Sequence, residues 1–169
     1  MSAIPDTHIR ALRALVARME GHEGLVWALT GSTSFALQGM DLPVNDIDII
    51  ADRDSALRIG VLLADSCVKP VEASSAKYVR SFYGQFRLEG MDVDLMGDSC
   101  RMNLDGSWGE PAFLPPLIRW VSVSSLRLPV LSLHFEEQAY RLLRRDERAD
   151  AIAAFLQRGE KPNLSGDIH

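Results

Sequence analysis

The sequence predicts an α/β domain of the α+β kind: a mixed β-sheet flanked by helices and followed by a C-terminal helical element. Three observations predict it. Short apolar runs beside glycine or turn residues, "LVWALT" and "DIDIIA", alternate with segments of helical periodicity. From Lys77 to Asp98 apolar and polar residues alternate, the mark of successive strands. After Ser132 two helical segments follow one another as far as Gly159.

Taken in order, Asp6 is a suitable N-cap for a helix carrying Ile9, Leu12, Val16 and Met19 on one stripe and ending at Gly21 or Gly24. Residues 25–30 form a buried strand, and "GSTSFALQGM" turns into a short helix starting between Ser32 and Ser34. "DIDIIA" is the next strand. Asp52 or Asp54 caps a helix in which Leu57, Ile59, Val61, Leu62 and Leu63 make a wide buried face, and Pro70 bars helix beyond it. "KYVRSFYGQFRLEG" and "MDVDLMGD" are strands of a hairpin or meander, broken near Gly84 and Gly90. Residues 118–123 form a strand, with prolines limiting the flanking segments. Ser132 opens a helix whose first turn holds Glu136 or Glu137, which suits its dipole. The expected order is α-β-α-β-α-β-β-β-α-α, with residues 1–130 as the layered domain, 131–159 as helices packed on it and 160–169 as a tail.

The 169 residues suffice for one domain, and 47% hydrophobic against 24% charged residues describes a chain that can bury a core. A net charge of −5 disfavours a general nucleic-acid surface. No signal peptide and no membrane-length apolar run is seen, so a cytoplasmic protein is expected. Cys67 and Cys100 lack metal spacing and are expected to stay reduced. His8, His22, His134 and His169 are scattered and receive no role.

Chemistry concentrates in three stretches. In "NDIDII" period two puts Asn45, Ile47 and Ile49 on one face and Asp46, Asp48 and Ile50 on the other. Two carboxylates held that close repel each other unless a cation lies between them. Their oxygens suit a hard dication such as Mg²⁺; the alternative is a solvated edge strand whose acids deter aggregation. "MDVDLM" repeats the design about forty-five residues later, with Asp92 and Asp94 on one face and Met91, Val93 and Leu95 on the other. Two such strands side by side would pool their acids, which favours a metal site. "TGSTS" supplies Gly31 for a sharp turn and Ser32 at a helix start, where free N–H groups suit phosphate.

"LTGSTSFALQGMDLPVNDIDI" resembles the signature of DNA-polymerase-β-like nucleotidyltransferases, Gly-Ser followed by Asp-x-Asp among hydrophobic residues. "GMDVDLMG" resembles that superfamily's strand bearing the third carboxylate. The similarity is greatest to small bacterial single-domain members, the antibiotic-nucleotidyltransferase-like and minimal forms. It implies a nucleotidyltransferase fold with Gly31 and Ser32 holding nucleotide phosphates. Asp46 and Asp48 would be the metal pair and Asp94 the third carboxylate, with Asp92 in reserve. The cofactor implied is Mg²⁺, two ions, with Mn²⁺ as substitute. The activity implied is transfer of a nucleoside monophosphate from a nucleoside triphosphate such as ATP to a hydroxyl, releasing pyrophosphate. The acceptor is expected to be a small molecule or a protein rather than a large RNA. Minimal forms often complete the cleft with a neighbour, which leaves a homodimer or a partner protein open. The C-terminal segment is similar to helices whose basic residues face the nucleotide. Arg141, Arg144, Arg145 and Arg148 share one side by spacing, and Arg145 and Arg148 are the nucleotide-binding candidates. The rival expectation is a non-catalytic binding or regulatory module, antitoxin- or sensor-like, on the same fold.

Overall fold

The computed structural model describes residues 4–159. Five α-helices and seven strands alternate as α1 (Asp6–Met19), β1 (Trp27–Thr30), α2 (Gly31–Leu37), β2 (Ile47–Ala51) and α3 (Arg53–Leu62). There follow β3 (Cys67–Ser75), β4 (Val79–Leu88), β5 (Met91–Arg101), β6 (Ile118–Val123), β7 (Leu126–Leu131), α4 (Leu133–Leu142) and α5 (Asp146–Gly159). The strands form one sheet in the order β3-β4-β5-β2-β1-β7-β6. β2 runs parallel to β5, and β1 runs parallel to β7. The other neighbours are antiparallel, so the sheet is mixed, as expected.

Period two decides which side of the sheet each residue serves. Leu29, Ile47, Ile49, Val93 and Leu95 are fully buried in a core with Leu12 and Leu15 of α1 and Ile59 of α3. On the opposite face Ala28 and Ile50 pack with Leu131 and, from α4, Phe135. Phe35, Leu133 and Ile152 join α2, α4 and α5 in a third cluster. The acids of β2 and β5 alternate with the first core and so point toward the α4–α5 side.

Several expectations need correction. The N-cap of α1 is Pro5, and Asp6 lies in the first turn instead. The stripe of α1 is rotated, burying His8, Ala11, Leu12, Leu15 and Met19, because α1 lies against α3 as well as the sheet. In α3 the buried face is narrow: Leu57 is 41% and Val61 76% exposed, while Ile59 and Leu63 are fully covered. The cap of α3 is Asp52, whose carboxylate accepts the Ser55 N–H at 2.7 Å. Gly84 does not break its strand but sits inside β4, where an added Cβ would meet Val71 of β3. Gly90, by contrast, makes the β4–β5 turn with φ +78°.

Two strands, β3 and β7, were not expected, so five consecutive strands stand where three were foreseen. Proline disguised both. Pro70 sits where the β3–β4 register slips, on an edge strand that tolerates a missing donor. Pro129 lies in β7, which meets β1 only at Leu29–Val130 and therefore forfeits little ladder. Cys67 and Cys100 are free thiols. The expected tail, 160–169, lies outside the described residues. Among the described residues no helix is long and apolar enough to cross a membrane.

Candidate active site

The parallel pairing of β2 with β5 sets Asp48 directly opposite Asp94, with Ile47 opposite Val93. The carboxyls of Asp48 and Asp94 are within hydrogen-bonding reach of each other. Burial, then the charges of Asp94 and Asp46, push the Asp48 carboxyl up to about 7. Asp46, exposed just before β2, is also raised, by burial first and then by the charges of Asp92 and Asp94. The four acids therefore do share one face and feel one another.

Asp94 is held from β4. Its Oδ1 accepts the Tyr83 hydroxyl at 2.9 Å and the Gln85 amide at 3.3 Å. Tyr83 and Gln85 alternate along β4 on the side of Asp94, Gln85 being its register partner. Burial and the Asp94 carboxylate push the Tyr83 phenol up to about 12, so it stays a donor at neutral pH. Asp92 differs: it pairs with Arg87 at 2.5 Å, with both side chains more than half exposed. That contrast favours Asp94 as the third acid.

Gly31 starts α2 with φ +70°, and a Cβ there would collide with Oδ2 of Asp48. Only glycine permits both the turn and this close approach. Behind the bend, Glu136 of α4 is 1% exposed and accepts the Thr30 hydroxyl and the Gly31 N–H. Burial pushes Glu136 up to about 7, while those donors and Arg101 pull it back. The loop carrying Asp46 is clamped from three sides. Ser32 Oγ accepts the Asn45 N–H at 2.9 Å, and Thr33 donates to the Asp46 carbonyl at 3.1 Å. His8 Nε2 donates to the Asn45 carbonyl at 2.5 Å.

Arg145 and Arg148 come to this place as well. With Ser32, Asp46 and Asp48 they line a cleft of about 110 Å³. Arg145 lies over the Tyr140 ring at 4.9 Å and Arg148 over Phe35 at 5.9 Å. Arg141 does not share their side, and Arg144 lines a broader hollow with them beside α5 but does not reach the cleft. The chain breaks between α4 and α5, with Arg144 at φ +61°. Arg141 pairs with Glu137 and Asp150, and Arg144 stacks on Tyr78 at 4.5 Å.

Among the described residues no three His, Cys, Asp or Glu side chains converge tightly enough to be recognised as a ready metal cage. The donor set nonetheless fits a hard dication. Asp48 and Asp94 lie opposite each other with the charge of Asp46 nearby, and a dication would supply the positive charge that this group of acids lacks.

Tyr83, Gln85, Glu136 and His8 escaped the sequence reading. Glu136 was legible only as a dipole partner, and Tyr83 and Gln85 needed the β4–β5 register. His8 lies thirty-seven residues from its partner and carried no signal.

A carboxylate-bearing mixed sheet with a Gly-Ser bend defines a nucleotidyltransferase-type domain. The model of the aminoglycoside-2''-adenylyltransferase family matches residues 11–154, and the chain belongs to that family. A Thermotoga maritima protein provisionally assigned as a nucleotidyltransferase has a crystal structure that superposes with TM-score 0.79 at 36% identity, covering 92% of this chain and 96% of that one. The antibiotic-resistance factor ANT(2'')-Ia shares the fold with TM-score 0.58 at 10% identity, over 90% of this chain and 86% of its own. The lincosamide antibiotic adenylyltransferase LnuA does so with TM-score 0.51 at 16% identity, over 84% and 96%. A comparison with curated proteins yields no significant match. The chain is thus an enzyme of the nucleotidyltransferase kind.

Proposed function

We propose that this enzyme moves a nucleoside monophosphate, AMP by analogy with its family, from the triphosphate to a hydroxyl of a small-molecule acceptor, releasing pyrophosphate. The observation that carries this is the opposition of Asp48 and Asp94 across β2 and β5, with Asp48 and Asp46 lining the cleft edged by Ser32, Arg145 and Arg148. The family model, that of aminoglycoside-2''-adenylyltransferases, and the name of one fold relative, a lincosamide antibiotic adenylyltransferase, support a small hydroxylated antibiotic as acceptor.

In this reading Asp46, Asp48 and Asp94 would hold divalent cations, Mg²⁺ by preference. Such ions, when bound, neutralise the triphosphate and lower the pKa of an acceptor hydroxyl. The chain's own residues do the rest. Ser32 keeps its hydroxyl proton for a phosphate oxygen, because the Asn45 N–H already uses its acceptor side. Arg145 and Arg148 offset charge on the phosphates that leave as pyrophosphate. Tyr83 and Gln85 occupy Oδ1 of Asp94, which leaves Oδ2 to accept the hydroxyl proton or to serve as a ligand. Positioning and electrostatics supply most of the rate, so no nucleophilic side chain is required. The regulatory-module alternative is not favoured, since the full acid set is in place.

The test is transfer of labelled AMP from ATP to a panel of aminoglycosides and lincosamides with Mg²⁺, monitored with pyrophosphate release. Asp48→Asn is expected to lower turnover by at least about a thousandfold. Wild-type turnover in that variant would overturn the assignment.

A further inference from the structure

Of the four arginines that helical spacing groups together, Arg144 neither lines the cleft nor pairs with Glu137 and Asp150. Its backbone is left-handed, φ +61°, at the residue that closes α4. There the Arg144 N–H donates to the Arg141 carbonyl at 3.0 Å and the Arg145 N–H to the Tyr140 carbonyl at 2.9 Å. Helices commonly end this way on glycine, because a Cβ is disfavoured in that conformation. An arginine held there points to a use for its side chain.

The guanidinium lies 4.5 Å over the Tyr78 ring and donates to the carbonyls of Met102 and Asn103, both at 3.4 Å. A planar fork suits this task, with a face for the ring and edges for two carbonyls. Tyr78 directly precedes β4, Met102 directly follows β5, and the Met102 N–H donates to the Tyr78 carbonyl at 2.9 Å. The side chain therefore grips one end of the strand pair that carries Tyr83, Gln85 and Asp94. On its other side, the Arg145 carbonyl accepts the Ala149 N–H at 3.1 Å and opens α5. The residue after Arg144 thus starts α5 and lines the cleft, with Arg148 close behind it.

We propose that Arg144 is a positioning residue, which latches the α4–α5 turn onto the end of β4 and β5 and so holds Arg145 and Arg148 in place against the carboxylates. The inference rests on the nucleotide role proposed above for the cleft and deepens it. Arg145 and Arg148 lean on Tyr140 of α4 and Phe35 of α2, so a shift of α5 against those helices moves both guanidiniums together. Misplacing such groups by about 1 Å can cost on the order of a hundredfold in rate. A contact outside the cleft can therefore govern what happens inside it.

The experiment is calorimetric titration of the full chain with ATP and Mg²⁺, beside thermal midpoints in chelator. Arg144→Gly deletes the latch but supplies the residue that the turn prefers. Its midpoint is expected within about 3 °C of wild type, while ATP binds roughly fivefold or more weakly. Tyr78→Ala should weaken ATP similarly, and Tyr78→Phe, which keeps the ring, should bind within about twofold of wild type. Arg148→Ala weakens ATP several-fold by itself. In the Arg144→Gly background it should add less than about twofold, because the arginine it removes is already displaced. Losses that multiply would mean that Arg144 meets the triphosphate itself, and would overturn the positioning role. So would a lowered midpoint with unchanged ATP affinity in Arg144→Gly, the mark of a purely structural contact. Failure of wild type to bind ATP takes away the nucleotide role of the cleft, and the latch falls with it.

Discussion

At the residue scale, Asp48 is where folding and chemistry conflict. Its carboxyl lies against Gly31 and beside Asp94, and burial with the charges of Asp94 and Asp46 pushes it up to about 7. A carboxyl raised in the folded state adds stability that is full below its unfolded pKa and fades as pH climbs through the folded value. Glu136 titrates in the same window and has the same sign. In chelator, the thermal midpoint should therefore fall between about pH 4 and pH 7, and Asp48→Asn should flatten that fall. The gain for Asp48→Asn at pH 8 should be about 1–2 kcal/mol once partial solvent access is allowed for. Parallel curves for the variant and wild type in a pH series of melts would refute this. Gly31→Ala should cost about 1–2 kcal/mol of stability from its φ of +70°. It should also displace Asp48, so loss of Mg²⁺-induced stabilisation is expected beyond the fall in midpoint.

At the scale of elements, β4 does for Asp94 what α2 does for Asp46. Two donors from β4 fix one oxygen of Asp94, while Ser32, Thr33 and His8 pin the loop before β2. Removing such supports commonly weakens metal binding by about 10- to 100-fold. Tyr83→Phe keeps the ring and deletes only the donor. It should weaken Mn²⁺ binding by roughly tenfold, measured by titration of free Mn²⁺, without lowering the midpoint in chelator. Unchanged Mn²⁺ affinity would show that Gln85 suffices. The break between α4 and α5 matters in the same way. It parts Arg145 and Arg148 from Arg141, so Arg148→Ala should raise the ATP KM several-fold while Arg141→Ala leaves it unchanged.

At the scale of the whole molecule, mixed strand order makes the site. Strands β2 and β5 are forty-odd residues apart in the chain, yet lie side by side and parallel because α3 and the β3–β4 hairpin cross between them. The aliphatic faces of β2 and β5 are buried under α1 and α3, and this burial makes the acids face the other way. The molecule should thus bind Mg²⁺ and ATP as a linked pair. Saturating both should raise the midpoint more than either alone, since each ligand relieves a charge the other brings. Strictly additive shifts in differential scanning fluorimetry would count against that.

Within the chain itself, periodicity determined which residues of "NDIDII" and "MDVDLM" are core and which are acid face. Glycine chemistry located the bend at Gly31. These are local properties, written in spacing of two and in backbone freedom. Register, by contrast, depends on residues far apart: that Asp94 rather than Asp92 meets Asp48, that Tyr83 and Gln85 support it, and that Glu136 reaches Thr30. Strands β3 and β7 stayed hidden for a related reason, because Pro70 and Pro129 are tolerated only where a particular neighbour withholds its hydrogen bonds. Such facts belong to pairings, and a pairing exists only once the chain has folded.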